Sequence, residues 1–343
     1  MAQTKLFVVA GVVLLDAACW SGGATNNTLA IAQISYADDG TLVAASRERI
    51  VRLGPMLNEI DRTVPPFPFD PKVQPGLESF GVSRDGNVAS IGWQNNTNPP
   101  AEPTLTAGGI VFDLGSAWLL RSDAYSPAPT AFQGLFLAPD GQTTAVLTGT
   151  AVQVAAVAGG TPLWQTTSFG PPLFTGDGAA LVVETNAYAF DVLRVSDGSR
   201  LTSLAPAVAT SGLAPAAASA DGSTVAVFGE SDETHYQITT WRVSDGTLLQ
   251  TIALDQDGTF PAAMVLGPDG SQVAVAAQGG DLLVWSGGQL LYRLHETPAF
   301  LYTLAFSPDG STLATVDKLS GSVRLLRASD GTVVAEKTIS ATP

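Results

Sequence analysis

The sequence predicts an all-β fold, a seven-bladed β-propeller with four antiparallel strands in each blade. Short apolar runs alternate with turn residues along the chain, and the 35 Gly and 22 Pro stand between these runs. From Leu304 to Ala314, a Pro-Asp-Gly turn separates two apolar segments, which is typical of a β-hairpin. The same hairpin recurs along the chain and therefore indicates a repeat architecture.

An Asp-Gly pair that precedes an apolar strand marks each repeat. The six steps from Asp39 to Asp309 average about 45 residues, the length of one propeller blade. The seven pairs are Asp39-Gly40, Asp85-Gly86, Asp140-Gly141, Asp177-Gly178, Asp221-Gly222, Asp269-Gly270 and Asp309-Gly310. Glycine supplies the positive φ that these hairpins need, so we interpret the aspartates as turn residues rather than catalytic carboxylates.

A second glycine turn follows in each unit and is clearest as Ser-Asp-Gly at 196–198, 244–246 and 329–331. Each unit then contains strands a, b, c and d, with Asp-Gly between a and b and the second turn between c and d. The b strands, such as 225–228, are apolar at every position, as a strand between two neighbouring blades requires. The last unit has its own strand d at 332–339, so we expect the ring to close by packing alone.

The hairpin of the last unit, 306–310, reads Phe-Ser-Pro-Asp-Gly, and 137–141 and 266–270 match it in part. These segments resemble the TolB-type repeats of the WD-repeat superfamily, and the resemblance covers nearly all of the chain after residue 27. It implies a bacterial propeller. Trp241 and Trp285 stand where a WD repeat ends strand c in Trp-Asp, but Arg and Ser follow them. The hydrogen-bonded tetrad of a eukaryotic WD repeat is therefore not expected.

The first 27 residues differ from the repeats. Lys5 precedes an apolar run at 6–15 that is too short to span a bilayer as a helix, and Cys19 follows two alanines. This resembles a bacterial lipoprotein signal, which implies a signal peptide at 1–18, a lipid on Cys19, a tether at 19–27 and the propeller at 28–343. The alternatives are an ordinary signal cleaved after Ala24, and a buried free cysteine in a cytosolic protein.

Net charge, cysteine content and the absence of catalytic motifs limit the kinds of function that we expect. The formal net charge is −15, and an acidic surface repels phosphate backbones, so we expect no nucleic-acid partner. Cys19 is the one cysteine and excludes an internal disulfide. Nucleophile elbows, phosphate loops and zinc-protease motifs do not occur in the sequence, so we expect neither a catalytic site nor a cofactor.

Irregular sequence is concentrated in the b–c loops and the d–a connections, which share one face of a propeller. Binding residues are usually found on such loops. In blades one to three, the candidate partner-binding residues are Phe67, Phe69, Trp93, Asn95 and Asn96, beside several prolines that stiffen these loops. The alternative for Phe67 and Phe69 is that they cap the propeller core.

A second group of candidates forms an acidic rim with histidines in blades five to seven. Its members are Glu230, Asp232, His235, Asp255, Asp257, His295 and Glu296, and Glu233 lies in the same loop as His235. Two histidines with carboxylates can bind a divalent metal, but these spacings match no metal-site motif. We therefore expect a solvated rim and no metal site.

Taken together, these features predict a non-enzymatic, monomeric lipoprotein of the cell envelope, periplasmic or on the cell surface, that binds a protein or another envelope component through its loop-rich face. The alternatives are a propeller enzyme of the lactonase or quinoprotein dehydrogenase type, and a carbohydrate-binding propeller. An enzyme would place polar or metal-binding side chains on the channel-facing a strands, whereas these strands, such as 217–220 and 262–266, are plain and small.

Overall fold

A computed structural model provides the structure of the chain. It describes residues 7–9, 12–14, 31, 33–46, 49–66, 76–94, 107–125, 132–186, 189–205, 216–232, 235–254, 261–277, 280–295, 301–317 and 321–340. Its β1 (Phe7–Val9) and β2 (Val12–Leu14) form a short hairpin. No helix in the described ranges is long and apolar enough to cross a membrane.

The remaining strands form seven blades of four antiparallel strands, which confirms the predicted seven-bladed propeller. Blades one to three comprise β3 (Gln33–Tyr36), β4 (Leu42–Ala45), β5 (Ile50–Leu53), β6 (Glu59–Thr63), β7 (Gly76–Val82), β8 (Val88–Gln94), β9 (Ala107–Asp113), β10 (Leu119–Tyr125), β11 (Phe132–Leu137), β12 (Thr143–Thr148), β13 (Ala151–Ala156) and β14 (Pro162–Thr167). A single 3-10 turn, Ala158–Gly160, connects β13 and β14.

Blades four to seven repeat the same strand order. They comprise β15 (Leu173–Phe174), β16 (Ala180–Asn186), β17 (Ala189–Arg194), β18 (Arg200–Leu204), β19 (Ala216–Ala218), β20 (Thr224–Asp232), β21 (His235–Arg242), β22 (Leu248–Leu254), β23 (Pro261–Leu266), β24 (Gln272–Ala277), β25 (Asp281–Ser286), β26 (Gln289–His295), β27 (Leu301–Phe306), β28 (Thr312–Asp317), β29 (Ser322–Arg327) and β30 (Val333–Thr338). Val9 of β1 pairs in parallel with Ala216, so the β1–β2 hairpin extends the sheet of blade five.

The ring closes without exchange of a strand between the termini. Strands β3–β6 and β27–β30 each form a complete blade of four consecutive strands. Blades seven and one share an apolar core, and the backbone amide of Ile34 donates to Thr303 Oγ1 at 3.3 Å. The Arg62 guanidinium adds a 2.6 Å hydrogen bond to the carbonyl of Ser340. The absence of strand exchange agrees with the sequence-based prediction, but hydrogen bonds add to the packing that was expected to close the ring alone.

The b strands lie between neighbouring blades and are buried on both faces. Every residue of β4 is buried, and so are five of the six residues of β24. Small side chains such as Ala44 and Ala274 allow adjacent sheets to approach closely, and Phe80, Phe112 and Phe228 fill the wider gaps. Removal of this apolar area from water is the main favourable term that holds the blades together.

Strand d, the outer edge of every blade, carries a β-bulge near its start. The extra residue is aliphatic in each blade and is 40 to 52 % exposed; these residues are Ile60, Leu120, Leu163, Leu201, Leu249, Leu291 and Val334. A bulge interrupts the row of backbone hydrogen-bonding groups, so it hinders pairing of this edge with another sheet.

In the c–d turns of blades one and two, the residue with positive φ is not a glycine. Gly54 and Gly115 lie in these turns, but the residues with positive φ are Leu57 at 59° and Ala117 at 55°. This backbone region costs a residue with a Cβ about 1–2 kcal/mol. The Leu57 side chain is buried in the core shared by blades one and seven, and that burial offsets the strain.

The a–b turns yield a prediction about their glycines. Gly40 and Gly222 both have positive φ, but a Cβ on Gly40 would touch nothing, whereas one on Gly222 would overlap the Asp177 carboxyl group of the next blade. We expect Gly40→Ala to lower the free energy of unfolding by about 1 kcal/mol through backbone strain alone. Gly222→Ala should cost more, because strain and overlap add. Urea unfolding of both variants measures the difference, and equal losses would contradict it.

Candidate functional site

The central channel opens on the face that carries the a–b and c–d turns. One residue from each blade lines the opening, always the one that precedes Asp-Gly in the a–b turn. We call this ring the channel mouth; it consists of Asp38, Arg84, Pro139, Gly176, Ala220, Pro268 and Pro308. The cavity behind it measures about 400 Å³, which is the size range of small ligand pockets.

Residues of the a strands line the cavity, and its lining is partly polar and partly apolar. Phe80, Phe136, Phe174 and Phe306 are among the lining residues, but they are only 1 to 9 % exposed, because they pack in the apolar cores of the propeller. Ala217 and Ala218 line the cavity in blade five, as expected of small a strands.

Arg84 is the cation of the channel mouth, and its side chain crosses the opening. Its Nε donates to both carboxylate oxygens of Asp38 at 3.0 Å. On the far side, Nη1 lies 3.5 Å from the carbonyl oxygens of Gly176 and Ala220, in blades four and five. Nη2 makes no hydrogen bond to any residue that the structure describes. Arg84 is 44 % exposed and therefore accessible from solvent.

The backbone of the channel mouth holds Arg84 in place. Its amide donates to the carbonyl of Pro139 at 2.7 Å, and its carbonyl accepts from the amide of Asp38 at 2.6 Å. The turns of blades one, two and three are thus connected directly. These bonds fix the backbone at position 84, whereas the Arg84 side chain is 44 % exposed and is held mainly by Asp38.

A second ring of carboxylates surrounds the channel mouth. The turn aspartate of each blade accepts a hydrogen bond from the amide two residues further on, at 2.8 to 3.0 Å, which confirms the interpretation as turn residues. We call these residues, together with Asp38, the acidic collar; they are Asp38, Asp39, Asp85, Asp140, Asp177, Asp221, Asp269 and Asp309. All eight are exposed.

Hydrogen bonds keep several collar carboxyls ionised. The Ser83 hydroxyl lowers the pKa of Asp85, and the Ser307 hydroxyl does the same for Asp309. The hydroxyl and amide of Ser271 lower the pKa of Asp269. Burial alone would raise the pKa of Asp221, but bonds from Ser219 and Ser223 outweigh it and lower the pKa. These carboxylates therefore stay charged well below neutral pH.

The c–d turns form an outer ring with similar aspartates but different partners. Arg194 pairs with Asp197 at 3.5 Å, and two more pairs, Arg242–Asp245 and Arg327–Asp330, follow at 3.2 and 3.0 Å. In each pair the arginine precedes the aspartate by three residues. In these pairs, the positive charge of the arginine therefore compensates the negative charge of the turn aspartate.

The predicted partner-binding loops of blades one to three are described only at Trp93. Its side chain is 1 % exposed, and its ring lies against the backbone of Gly108, so Trp93 offers no surface to a partner. Phe67, Phe69, Asn95 and Asn96 lie outside the described residues, and their role stays a prediction.

The predicted acidic rim is described in part. His295 Nδ1 lies 2.7 Å from Asp281 Oδ1, and Arg293 pairs with the other oxygen of the same carboxyl group. Burial alone would raise the pKa of Asp281, but the bonds from Arg293 and His295 lower it. The backbone register pairs Asp232 with His235 and Glu230 with Tyr236. Asp255, Asp257 and Glu296, like Glu233 in the loop with His235, lie outside the described ranges.

Among the residues that the structure describes, no three His, Cys, Asp or Glu side chains are grouped so that they could hold a metal ion. His295 is the rim histidine whose side chain is described, and it contacts Asp281, which also pairs with Arg293.

The lowered pKa values of the collar carboxyls predict how stability depends on pH. An aspartate with a lower pKa in the folded state stabilises the fold above its unfolded pKa of about 3.9, and this stabilisation is lost as the pH falls through the folded value. We expect the melting temperature to be level from neutral pH to about pH 5 and to fall below about pH 4. A variant with Asn at positions 85, 221, 269 and 309 keeps the turn acceptors and should show a shallower fall; an equally steep fall would contradict this.

Comparison with known proteins supports the fold. No family model matches the sequence, and no curated protein matches it. Among solved structures, Hsv2 of Kluyveromyces lactis is similar with a TM-score of 0.64 at 14% identity, over 89% of this chain and 99% of that one. A chain in the crystal structure of a mitotic checkpoint complex is similar with a TM-score of 0.62 at 14% identity, over 96% of both chains. At such identities the likeness concerns the fold alone, a β-propeller.

Proposed function

We propose that this protein is a non-enzymatic scaffold of the bacterial cell envelope that binds a protein partner at the channel mouth and is held at a membrane by a lipid on Cys19. The observation that carries the binding role is the cavity of about 400 Å³, lined by both apolar and polar groups, open to solvent and framed by seven similar turns. A concave apolar site with a few polar groups at its opening is the usual form of a binding pocket.

The rigidity of the channel mouth supports a binding role. Backbone hydrogen bonds connect the turns of neighbouring blades, from Asp38 to Arg84, from Arg84 to Pro139 and from Asp221 to Pro268. Pro139, Pro268 and Pro308 restrict the backbone further at three of the seven positions. A surface that is already ordered loses little conformational entropy when a partner binds.

The state of the collar carboxyls supports a scaffold rather than an acid–base catalyst. A general acid works best with a pKa near the working pH, which requires a raised value for a carboxyl group. The hydroxyl bonds from Ser83 and Ser307 move Asp85 and Asp309 in the opposite direction. One carboxylate oxygen of each turn aspartate also accepts a hydrogen bond from the backbone of its own turn, as Asp177 does from the amide of Ala179 at 3.0 Å.

The proposed location rests on the N-terminal sequence. Lys5, the apolar run at 6–15 and the small residues before Cys19 have the order of a lipoprotein signal. Two or more acyl chains give stable attachment, whereas one chain gives reversible binding. The charge of −15 is compatible with a propeller that stays soluble at the end of its tether.

Intact-mass analysis of the mature protein tests the location. We expect the chain to begin at Cys19 and to carry the added mass of a lipid, because cleavage exposes that cysteine as the new N-terminus. A Cys19→Ser variant expressed in the same cells is the control and should lose the lipid mass. A mature chain that begins at Met1 without any lipid would contradict the proposal.

Affinity capture from envelope extracts tests the binding role. Ala220 is an exposed residue of the channel mouth, so Ala220→Trp should obstruct the opening and reduce recovery of the partner at least about tenfold. Ser244→Trp is the matched control, because Ser244 is equally exposed and stands before Asp-Gly in an outer turn. Both variants should keep the unfolding temperature of the original chain.

Two results would contradict the binding role. Recovery of the same partner in equal amount by both tryptophan variants would show that binding does not involve the channel mouth. Failure of the unmodified chain to recover any specific partner would count against a scaffold altogether.

A further inference from the structure

The inner and outer turns differ in how their aspartates are satisfied. In three outer turns an arginine three residues earlier pairs with the aspartate, as Arg327 does with Asp330 at 3.0 Å, whereas Asp113 accepts from Ser116. In four inner turns a serine or threonine hydroxyl two residues earlier donates to the aspartate, as Ser219 does to Asp221 at 2.6 Å. A hydroxyl stabilises the carboxylate but leaves its negative charge uncompensated.

Negative charge is therefore concentrated around the channel mouth. The acidic collar contains eight exposed aspartates, and Arg84 is the one cation in the turns that carry them. Prolines, glycine and alanine complete the opening and add no charge. A concave site with apolar walls focuses the field of such a ring, so it raises the local concentration of cationic groups.

A guanidinium group already occupies the opening, and this observation is independent of the collar charge. Around the Arg84 guanidinium stand acceptors only: the Asp38 carboxylate on one side and the carbonyls of Gly176 and Ala220 on the other. The carbonyl contacts, at 3.5 Å, are at the outer limit for hydrogen bonds and hold the group loosely.

We propose that the channel mouth receives a basic segment of a protein partner, whose arginine or lysine side chain takes the position that the Arg84 guanidinium occupies in the free protein. The apolar stem of the incoming side chain lies in the opening, and its charged end meets Asp38 and the two carbonyls. Asp221 and the other collar aspartates surround the flanking basic residues. This inference rests on the proposed function and specifies the chemistry of its partner.

Arg84 then acts as an internal competitor. It must leave the opening before the partner side chain enters, so part of the binding free energy is spent on displacing it. Its exposed position and weak carbonyl contacts keep that cost small. The same displacement makes the affinity sensitive to the residue at position 84.

Fluorescence anisotropy with the full chain tests the proposal. The probe is a short labelled peptide of alternating Arg and Ala, and a peptide of alternating Glu and Ala is its control. We expect the basic peptide to bind, the acidic peptide not to bind, and salt to weaken the binding. The double variant Asp38→Asn, Asp221→Asn should bind the basic peptide about tenfold more weakly.

Two further variants make the test specific. The double variant Asp245→Asn, Asp330→Asn removes two aspartates from the outer ring and should bind as the unmodified chain does, because those charges were already paired. Arg84→Ala should bind about fivefold more tightly, since the internal competitor is gone. Urea unfolding shows whether each variant is folded before its affinity is compared.

Three different outcomes would overturn the proposal. Equal weakening by the inner and outer double variants would indicate diffuse attraction to an acidic protein. Weaker binding by Arg84→Ala would mean that Arg84 contacts the ligand instead of competing with it. Capture of a partner whose contact segment is not basic would overturn this inference and leave the proposed scaffold function intact.

Discussion

The a–b turn is the element on which the rest of the structure depends. Its aspartate satisfies the amide two residues further on, and its glycine takes a positive φ, between 70° and 83° in the seven blades. Together they fix the register between strands a and b, because the turn leaves one way to align the two strands. Once a and b are aligned in every blade, the apolar faces of neighbouring b strands meet and the ring closes.

The outer edge of each blade must be protected from pairing with other chains, and the a–b turn does not provide that protection. Strand d has no partner on its outer side, and an open edge can pair with another chain. The bulge at Ile60, Leu163 and the equivalent residues interrupts that edge beside each c–d turn. Blade seven can end with its own strand d because packing against blade one, with bonds such as Arg62 to Ser340, is enough to hold the ring together.

The architecture could be predicted from the sequence because it depends on local chemistry that repeats. The Asp-Gly turns, the apolar b strands and the closure without strand exchange follow from residues close together in the chain. Trp93 follows the same pattern, because it stands near the end of the b strand β8, and a strand between two blades is buried on both faces. Its burial therefore follows from its strand position, although Asn95 and Asn96 come directly after this strand in the sequence.

Arg84 could not be predicted in the same way, because its role arises from ring geometry. Within its own repeat it is one variable turn residue, equivalent to Pro139 or Ala220 in other blades. Only closure of the ring brings the carbonyls of Gly176 and Ala220 within reach, 92 and 136 residues away along the chain.

The collar charge is a consequence of the same turns that build the fold. Each blade needs one acceptor at the a–b turn, and convergence of the blades on the channel brings these carboxylates together around one opening. In the outer turns, the arginine of each Arg–Asp pair neutralises the negative charge of its aspartate. No equivalent arginine precedes the inner aspartates, so the turns that are indispensable to the fold leave the channel mouth acidic. Such a scaffold attracts basic groups to its centre without any residue dedicated to that purpose. The guanidinium of Arg84 is a basic group of the chain itself that lies in this opening.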